Sequence, residues 1–405
     1  MCVIENMTTR KQSNLFYSIY VAILLAGFLL VPAVAKAANT EVGTWVPWFG
    51  GEEAPKSALK NIDDIDILYP FTFEVTGSGI PVNKVDFSDQ EWEELFEAAR
   101  ERDVPIIPTI AWFDGAAMDQ VLGNKAWRSI HVQLISLYTR LYEVDGINID
   151  YEQKYASTKD DFSLFLKELK QALGDKTLTC TVEARMLPEH RYRNVPANIE
   201  YANDYEEMNK YCDWVEIMAY DQQRADIALN KERQGVPYMP VADIDWVEEV
   251  IKLTLEDIDN DKIMLGVATY GRAWDVIVAA DWYKEYQKVA TLNHPRIQYL
   301  ADKYDSPIGR SEGGEAVISY FPEDSVWKIF NQLPTPEDTP KGYEAAAKAL
   351  MVATIADVEI PVRFVTWSDA RSIEDKLKLV EKYNLKGTAI FKVDGEEDKD
   401  IWKLF

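Results

Sequence analysis

The run Asp145-Gly146-Ile147-Asn148-Ile149-Asp150-Tyr151-Glu152 alternates polar and apolar residues. On a β-strand successive side chains point to opposite faces, so Asn148, Asp150 and Glu152 share one face while Ile147, Ile149 and Tyr151 share the other. Two acids and an amide aligned on a buried face are costly unless they pair or serve chemistry. The chemistry open to them is proton transfer. Glu152, last in the row, is the candidate general acid, and burial together with neighbouring Asp150 is expected to raise its pKa. The competing reading is an edge strand with a solvated polar face. A register slip of one residue, turning Ile147 and Ile149 inward, would remove the site altogether.

Such a row needs a scaffold. Short apolar runs that read as strands lie at 42–49, 65–69, 104–112, 146–151, 177–184, 214–220, 263–270 and 388–393. Helix-like segments lie between them at 89–102, 125–142, 159–173, 204–211, 243–257 and 372–383. In the third helix Phe162, Phe165, Leu166, Leu169 and Leu173 recur at helical spacing. Ser88 and Glu91, three residues apart, predict a capping box at the start of the first. Eight strands separated by helices fit an α/β fold closed as a (β/α)8 TIM barrel, with the polar row lining the lumen and climbing to the rim. A doubly wound open sheet is the competing architecture, but Gly50-Gly51 after the first strand is followed by acids rather than a phosphate cradle. The repeat breaks once. The barrel is expected over 40–275 and 361–405, with a small α+β insertion at 276–360 between strands seven and eight.

The chain has 405 residues and a formal net charge of −25, which disfavours nucleic acid and anionic bilayers as partners. With 47% hydrophobic and 12% aromatic residues it has the material for a large core. Arg10 and Lys11 precede an uncharged run with an apolar centre, followed by two small-x-small patterns ending at Ala35 and Ala37. Residues 1–37 therefore read as an export signal cleaved near Ala37, giving a secreted or cell-envelope protein with no stable membrane insertion. Left uncleaved, the run would be a membrane anchor. Cys180 and Cys212 sit in or beside strands. A disulfide between neighbouring strands is open to them, and two buried free thiols is the preferred expectation. His131, His190 and His294 are scattered, so no metal site and no cofactor are expected.

At the residue level the chain resembles glycoside hydrolase family 18, the chitinase-like hydrolases. The family's Asp-Gly-x-Asp-x-Asp-x-Glu is matched at 145–152 except for Asn148. The resemblance continues at Met218-Ala219-Tyr220-Asp221, at Tyr270-Gly271-Arg272-Ala273-Trp274, and at Trp367-Ser368-Asp369 with Ser372 and Lys376. The third motif, with Trp45 and Trp48 near the start, is most similar to a bacterial branch resembling spore-cortex and peptidoglycan N-acetylglucosaminidases. The resemblance implies substrate-assisted hydrolysis of β-linked N-acetylglucosamine polymers, peptidoglycan or chitin, in which the substrate's 2-acetamido oxygen attacks the anomeric carbon. Glu152 would then be the acid, Asp150 would grip the acetamido N–H, and Tyr220 would bond the acetamido oxygen from the opposite wall. Met218, Asp221 and Arg272 join Asn148 as implied sugar-binding residues, although Asp221 and Arg272 read equally as structural salt-bridge partners. The partner is a polysaccharide containing N-acetylglucosamine, and a monomer is expected.

Two departures stand out. Asn148 replaces the family's first Asp, removing a buried charge while remaining able to bond Asp150. Phe391 stands where the family places the Trp that floors the cleavage subsite, keeping an apolar face but losing area and an N–H donor. Trp48, Phe73, Trp112, Trp274 and Trp367 fall at expected strand ends or rim loops, where about two of the five would stack on sugar and the rest pack. Glu183 is a weaker candidate for an acid in the cleft. A chitinase-like lectin, binding N-acetylglucosamine glycans without hydrolysis, is the alternative function, and a surface-displayed structural barrel is a second. Glu152 argues against the first, and the trio Asp150, Glu152 and Tyr220 against the second.

Overall fold

The computed structural model describes residues 40–405 apart from Gln234 and Trp282. The expected export signal lies outside the described residues. Strands are numbered in chain order: β1 (Glu41–Pro47), β2 (Ile67–Val75), β3 (Pro81–Asn83), β4 (Thr109–Trp112), β5 (Gly146–Tyr151), β6 (Thr177–Glu183), β7 (Trp214–Met218), β8 (Ile263–Ala268), β9 (Gly271–Val278), β10 (Tyr283–Leu292), β11 (Gly309–Arg310), β12 (Ala316–Tyr320), β13 (Ile360–Trp367) and β14 (Gly387–Phe391). The first sheet runs β1-β14-β8-β7-β6-β5-β4-β2-β3, and β1 also pairs in parallel with β2. That last pairing closes eight parallel strands into the expected (β/α)8 barrel, with β3 hanging antiparallel on β2.

The expected strand at 104–112 shortens to β4 because Pro105 and Pro108 cannot donate to a ladder. The helix Lys159–Leu173 buries the five residues of its predicted stripe against Ile147, Ile149 and Tyr151, which face outward from β5. The capping box at Ser88 does not form. Asp89 is the N-cap of Gln90–Glu101, and the Ser88 hydroxyl bonds Asp86 instead.

A second, antiparallel sheet, β10-β9-β13-β12-β11, occupies the connection from β8 to β14. Its strands span Gly271 to Trp367, beyond the expected 276–360 on both sides. The rim motifs at Arg272 and Trp367, expected within the barrel, lie in this sheet, where β9 and β13 pair with one another along their whole length. Helix Glu344–Ala356 covers one face through Ala345, Ala346, Ala349 and Ala353. Helix His294–Lys303 covers the other through Ile297, Leu300 and Ala301.

Cys180 and Cys212 form a disulfide, with Cα atoms 6.1 Å apart. The preferred expectation of free thiols is therefore corrected. Cys180 lies in β6 and Cys212 leads into β7, and the parallel pairing of these strands, with Cys180 opposite Val215, brings the two sulfurs within reach. No helix among the described residues is long and apolar enough to cross a membrane.

Candidate active site

Along β5 the alternation holds as predicted, with Asn148, Asp150 and Glu152 on the lumen side. Asp150 is buried and Glu152 half-buried at the rim. A cavity of about 390 Å³ opens above them, lined by Asp150, Glu152, Thr181, Met218, Tyr220, Asp221, Arg272 and Phe391, with Trp45, Phe71 and Tyr270 among the aromatic walls. Phe49 and Phe113 stand exposed where the cavity meets solvent.

Tyr220 and Phe391 stack nearly parallel, 14° between planes and 5.8 Å between centroids. Phe391 also meets Trp45 and Phe71 edge-on, so the apolar floor assigned to it is built from three strands. Gly266 on β8 makes this packing possible. A Cβ there would collide with the Ile217 carbonyl and come within 3.0 Å of the Tyr220 ring. Asp221 and Arg272 form a bidentate ion pair at 2.6 and 2.7 Å, and the guanidinium lies over Tyr270 at 4.7 Å. Both residues therefore line the cavity while partnering each other.

Burial pushes the Asp150 carboxyl well above the ordinary range. Glu152 and Glu183 add to the rise, and the ammonium of Lys154 opposes it. Glu152 is pushed up to about 7, first by burial and then by Glu183, with Lys154 again opposing. The expected repulsion between Asp150 and Glu152 is present, and a further charge acts on Glu152 from Glu183. That residue's oxygens accept from the Gln153 N–H and the Asn203 amide, and it lines an adjoining depression rather than the cavity. With Glu152 as the expected acid, its protonated form is the one that would donate, so activity should be lost as pH rises through about 7. Glu183→Gln removes a charge that raises this pKa, so the basic limb of the pH–kcat/KM profile should move to lower pH. An unmoved limb in that variant would assign it to another group.

Asn148 does not use its capacity to bond Asp150. Its amide donates to Thr179 Oγ1 at 2.8 Å and to Glu216 Oε2 at 2.9 Å, and its oxygen accepts from Thr181. Glu216, fully buried in the lumen with its pKa raised to about 7 by burial, is a residue the sequence reading missed. The signal was present: Glu216 and Met218 share one face of β7 by the same alternation that placed the row on β5. Lys154 was missed too. It is buried, donates to the Tyr151 carbonyl, and lies 4.6 Å over the Phe162 ring.

The aromatic assignments need correction. About two of the five aromatics were expected to stack on sugar, with Trp48, Trp112 and Trp367 foremost, but none of these three lines the cavity, nor do Phe73 and Trp274. Trp112 packs against His131 and Tyr151 on the helix side, while its neighbour Ala111 faces the lumen. Phe73 shares the parity of the cavity residue Phe71, but an irregularity in the β2–β4 register between them turns it outward onto Tyr138 and Tyr142. Trp274 and Trp367 are buried on opposite faces of the inserted sheet. Trp48 turns into a separate depression, where Lys84 lies 5.4 Å over its ring.

A barrel with paired acids at the rim of one strand and a phenol opposite defines a class, the glycoside hydrolases of the TIM-barrel type. Residues 67–396 match the model for glycosyl hydrolases family 18, and the chain belongs to that family. Among curated proteins it is 21% identical over 399 residues to the uncharacterized glycosylase YvbX of Bacillus subtilis, covering 96% of this chain and 97% of that one. Among solved structures it is similar to the spore cortex-lytic enzyme SleL of Bacillus megaterium, with TM-score 0.67, 20% identity and coverage of 93% of this chain and 75% of that one. It is also similar to a chitinase from Chromobacterium violaceum, with TM-score 0.65, 20% identity and coverage of 90% and 97%. At these identities the solved structures carry the fold.

Proposed function

We propose that the protein is a retaining hydrolase of β-linked N-acetylglucosamine polymers, peptidoglycan or chitin, acting through the substrate's own 2-acetamido group. One observation carries the reading. Asp150 Oδ1 is buried, accepts no hydrogen bond, and belongs to a residue lining the cavity beside Glu152. An unsatisfied buried acceptor is costly, and an acetamido N–H would satisfy it. Glu152 gives its proton to the glycosidic oxygen as that bond breaks, and the acetamido oxygen closes on the anomeric carbon. Positive charge on the resulting oxazolinium favours the ionised form of Asp150. Glu152, now a carboxylate, takes a proton from water as the water opens the ring with retention. The Tyr220 hydroxyl steadies the acetamido oxygen.

The lectin reading is disfavoured because Glu152 lines the cavity with its pKa near neutrality. Turnover of a chromogenic N-acetylglucosamine oligosaccharide is expected, with the product released as the β-anomer. Purified peptidoglycan and colloidal chitin assayed side by side identify the polymer, and binding of all three without cleavage would return the lectin reading.

Export is part of the proposal. It is supported by the basic residues and apolar run before Ala37, and by the Cys180–Cys212 disulfide, which suits an oxidising compartment. The mass of the protein recovered from expressing cells should correspond to a chain beginning after Ala37. A mass retaining the first residues would mean an anchor instead.

A further inference from the structure

Three elements that follow β6 and β7 bring His190, Asp226 and Glu249 together. His190 lies on the short helix Pro188–Arg191, Asp226 caps Ile227–Glu232, and Glu249 lies on Ile244–Thr254. Their ligand atoms all lie within 4.8 Å of one another. His190 Nδ1 is 3.4 Å from Asp226 Oδ2 and 2.6 Å from Glu249 Oε2. The second oxygen of each carboxylate is already committed, Asp226 Oδ1 to the Leu229 N–H and Glu249 Oε1 to the Leu187 N–H. Both side chains are thereby aimed at the imidazole with their other oxygen, Asp226 Oδ2 and Glu249 Oε2.

The cluster is not satisfied by protein alone. Asp226 is fully buried and its Oδ2 accepts no hydrogen bond. His190 Nδ1, though close to Glu249, is out of line for an N–H···O bond. A divalent ion would neutralise both carboxylates and satisfy both idle atoms at once. Ligands roughly 2.1 Å from a tetrahedral ion lie roughly 3.4 Å apart, the separation already held between His190 Nδ1 and Asp226 Oδ2. Glu249 needs only a side-chain adjustment to open its shorter contact.

We propose that His190, Asp226 and Glu249 form a zinc site that ties the segment after β6 to the segment after β7. One imidazole and two carboxylates suit zinc better than calcium, which takes six to eight oxygens. None of the three lines the cavity that holds Asp150 and Glu152. His190 belongs to the segment that leaves the barrel at Glu183, and Asp226 to the one that leaves it at Tyr220 and Asp221. The ion would hold both segments in place without touching substrate. The sequence expectation of no metal site rested on scattered histidines; here a single histidine suffices because its co-ligands are acids distant in the chain.

The test uses the untagged full chain, stripped with a chelator and dialysed against zinc. One zinc per chain should be retained, and the melting temperature should rise with zinc concentration and fall again on chelation. Asp226→Asn should weaken zinc retention by more than about tenfold, and so should His190→Gln, at a partly exposed position where folding is not at risk. Glu152→Gln should retain zinc as the unaltered chain does. Absence of retained zinc in the unaltered chain would overturn the proposal. So would retention unchanged in His190→Gln, or retention lost in Glu152→Gln, which would place the ion at the hydrolytic carboxylates.

Discussion

Glu152→Gln is expected to lower turnover of an N-acetylglucosamine oligosaccharide by about 10²–10⁴-fold with little change in KM. The amide keeps the shape and burial of the side chain but carries no proton that can be given to the leaving oxygen. Glu183 cannot take over, because both its oxygens are engaged and it faces the adjoining depression. Asp150 is buried in the lumen, below Glu152 at the rim. The fold should not suffer. Burial and Glu183 raise the folded pKa of Glu152 to about 7, so the folded state favours its protonated form. The stability this contributes is complete below the unfolded pKa and is lost as pH rises through about 7. A neutral amide removes that loss, so the variant should melt no lower than the parent above neutrality. Near-parental turnover in a folded Glu152→Gln protein would remove Glu152 from the acid role.

Asp150→Asn is expected to cost about 10²-fold or more in turnover, the scale seen when one preorganised electrostatic group is removed from a reaction centre. The carboxylate is required where charge appears. An amide can still meet an acetamido group, but it cannot balance the positive oxazolinium. Affinity for a ligand mimicking that cyclic intermediate should therefore fall more than affinity for the substrate sugar. The same change should stabilise the fold at neutral pH, because Asp150 is a buried acid whose folded pKa lies well above the ordinary value. Its contribution to stability is present below the unfolded pKa and declines as pH rises, and Asn abolishes the decline. Lost activity with gained stability separates a chemical role from misfolding. Substrates lacking the 2-acetamido group should be inert with either protein, and efficient hydrolysis of a plain glucoside would require an enzyme nucleophile and exclude the assignment of Asp150. Because the two residues act on one event, the double variant should lose far less than the product of the single losses.

Much of the site was legible because β-strand alternation is local. Reading 146–151 as a strand was enough to put Asn148, Asp150 and Glu152 on one face, and the order of the rim motifs placed Tyr220, Asp221, Arg272 and Phe391 around them. The aromatics were placed by their position at strand ends instead, and that was not enough to fix the face they occupy. The irregularity after Phe71 turned Phe73 outward, and Trp112 sits one residue beyond the lumen-facing Ala111. Trp274 and Trp367 were read as rim aromatics because their motifs adjoin the barrel, but both strands belong to the inserted sheet and bury them on its two faces.

What the chain determined by itself was the repeat that closes the barrel and the chemistry carried on its fourth parallel strand. Tertiary structure alone decided which distant residues meet. Asn148 found Glu216 across the lumen, Cys180 found Cys212 between adjacent strands, and His190 came to face Asp226 and Glu249. The physical reason is that alternation is set by the pleat of each strand separately. Proximity between strands is set instead by barrel closure and the register of each pairing, which depend on the packing of the whole chain.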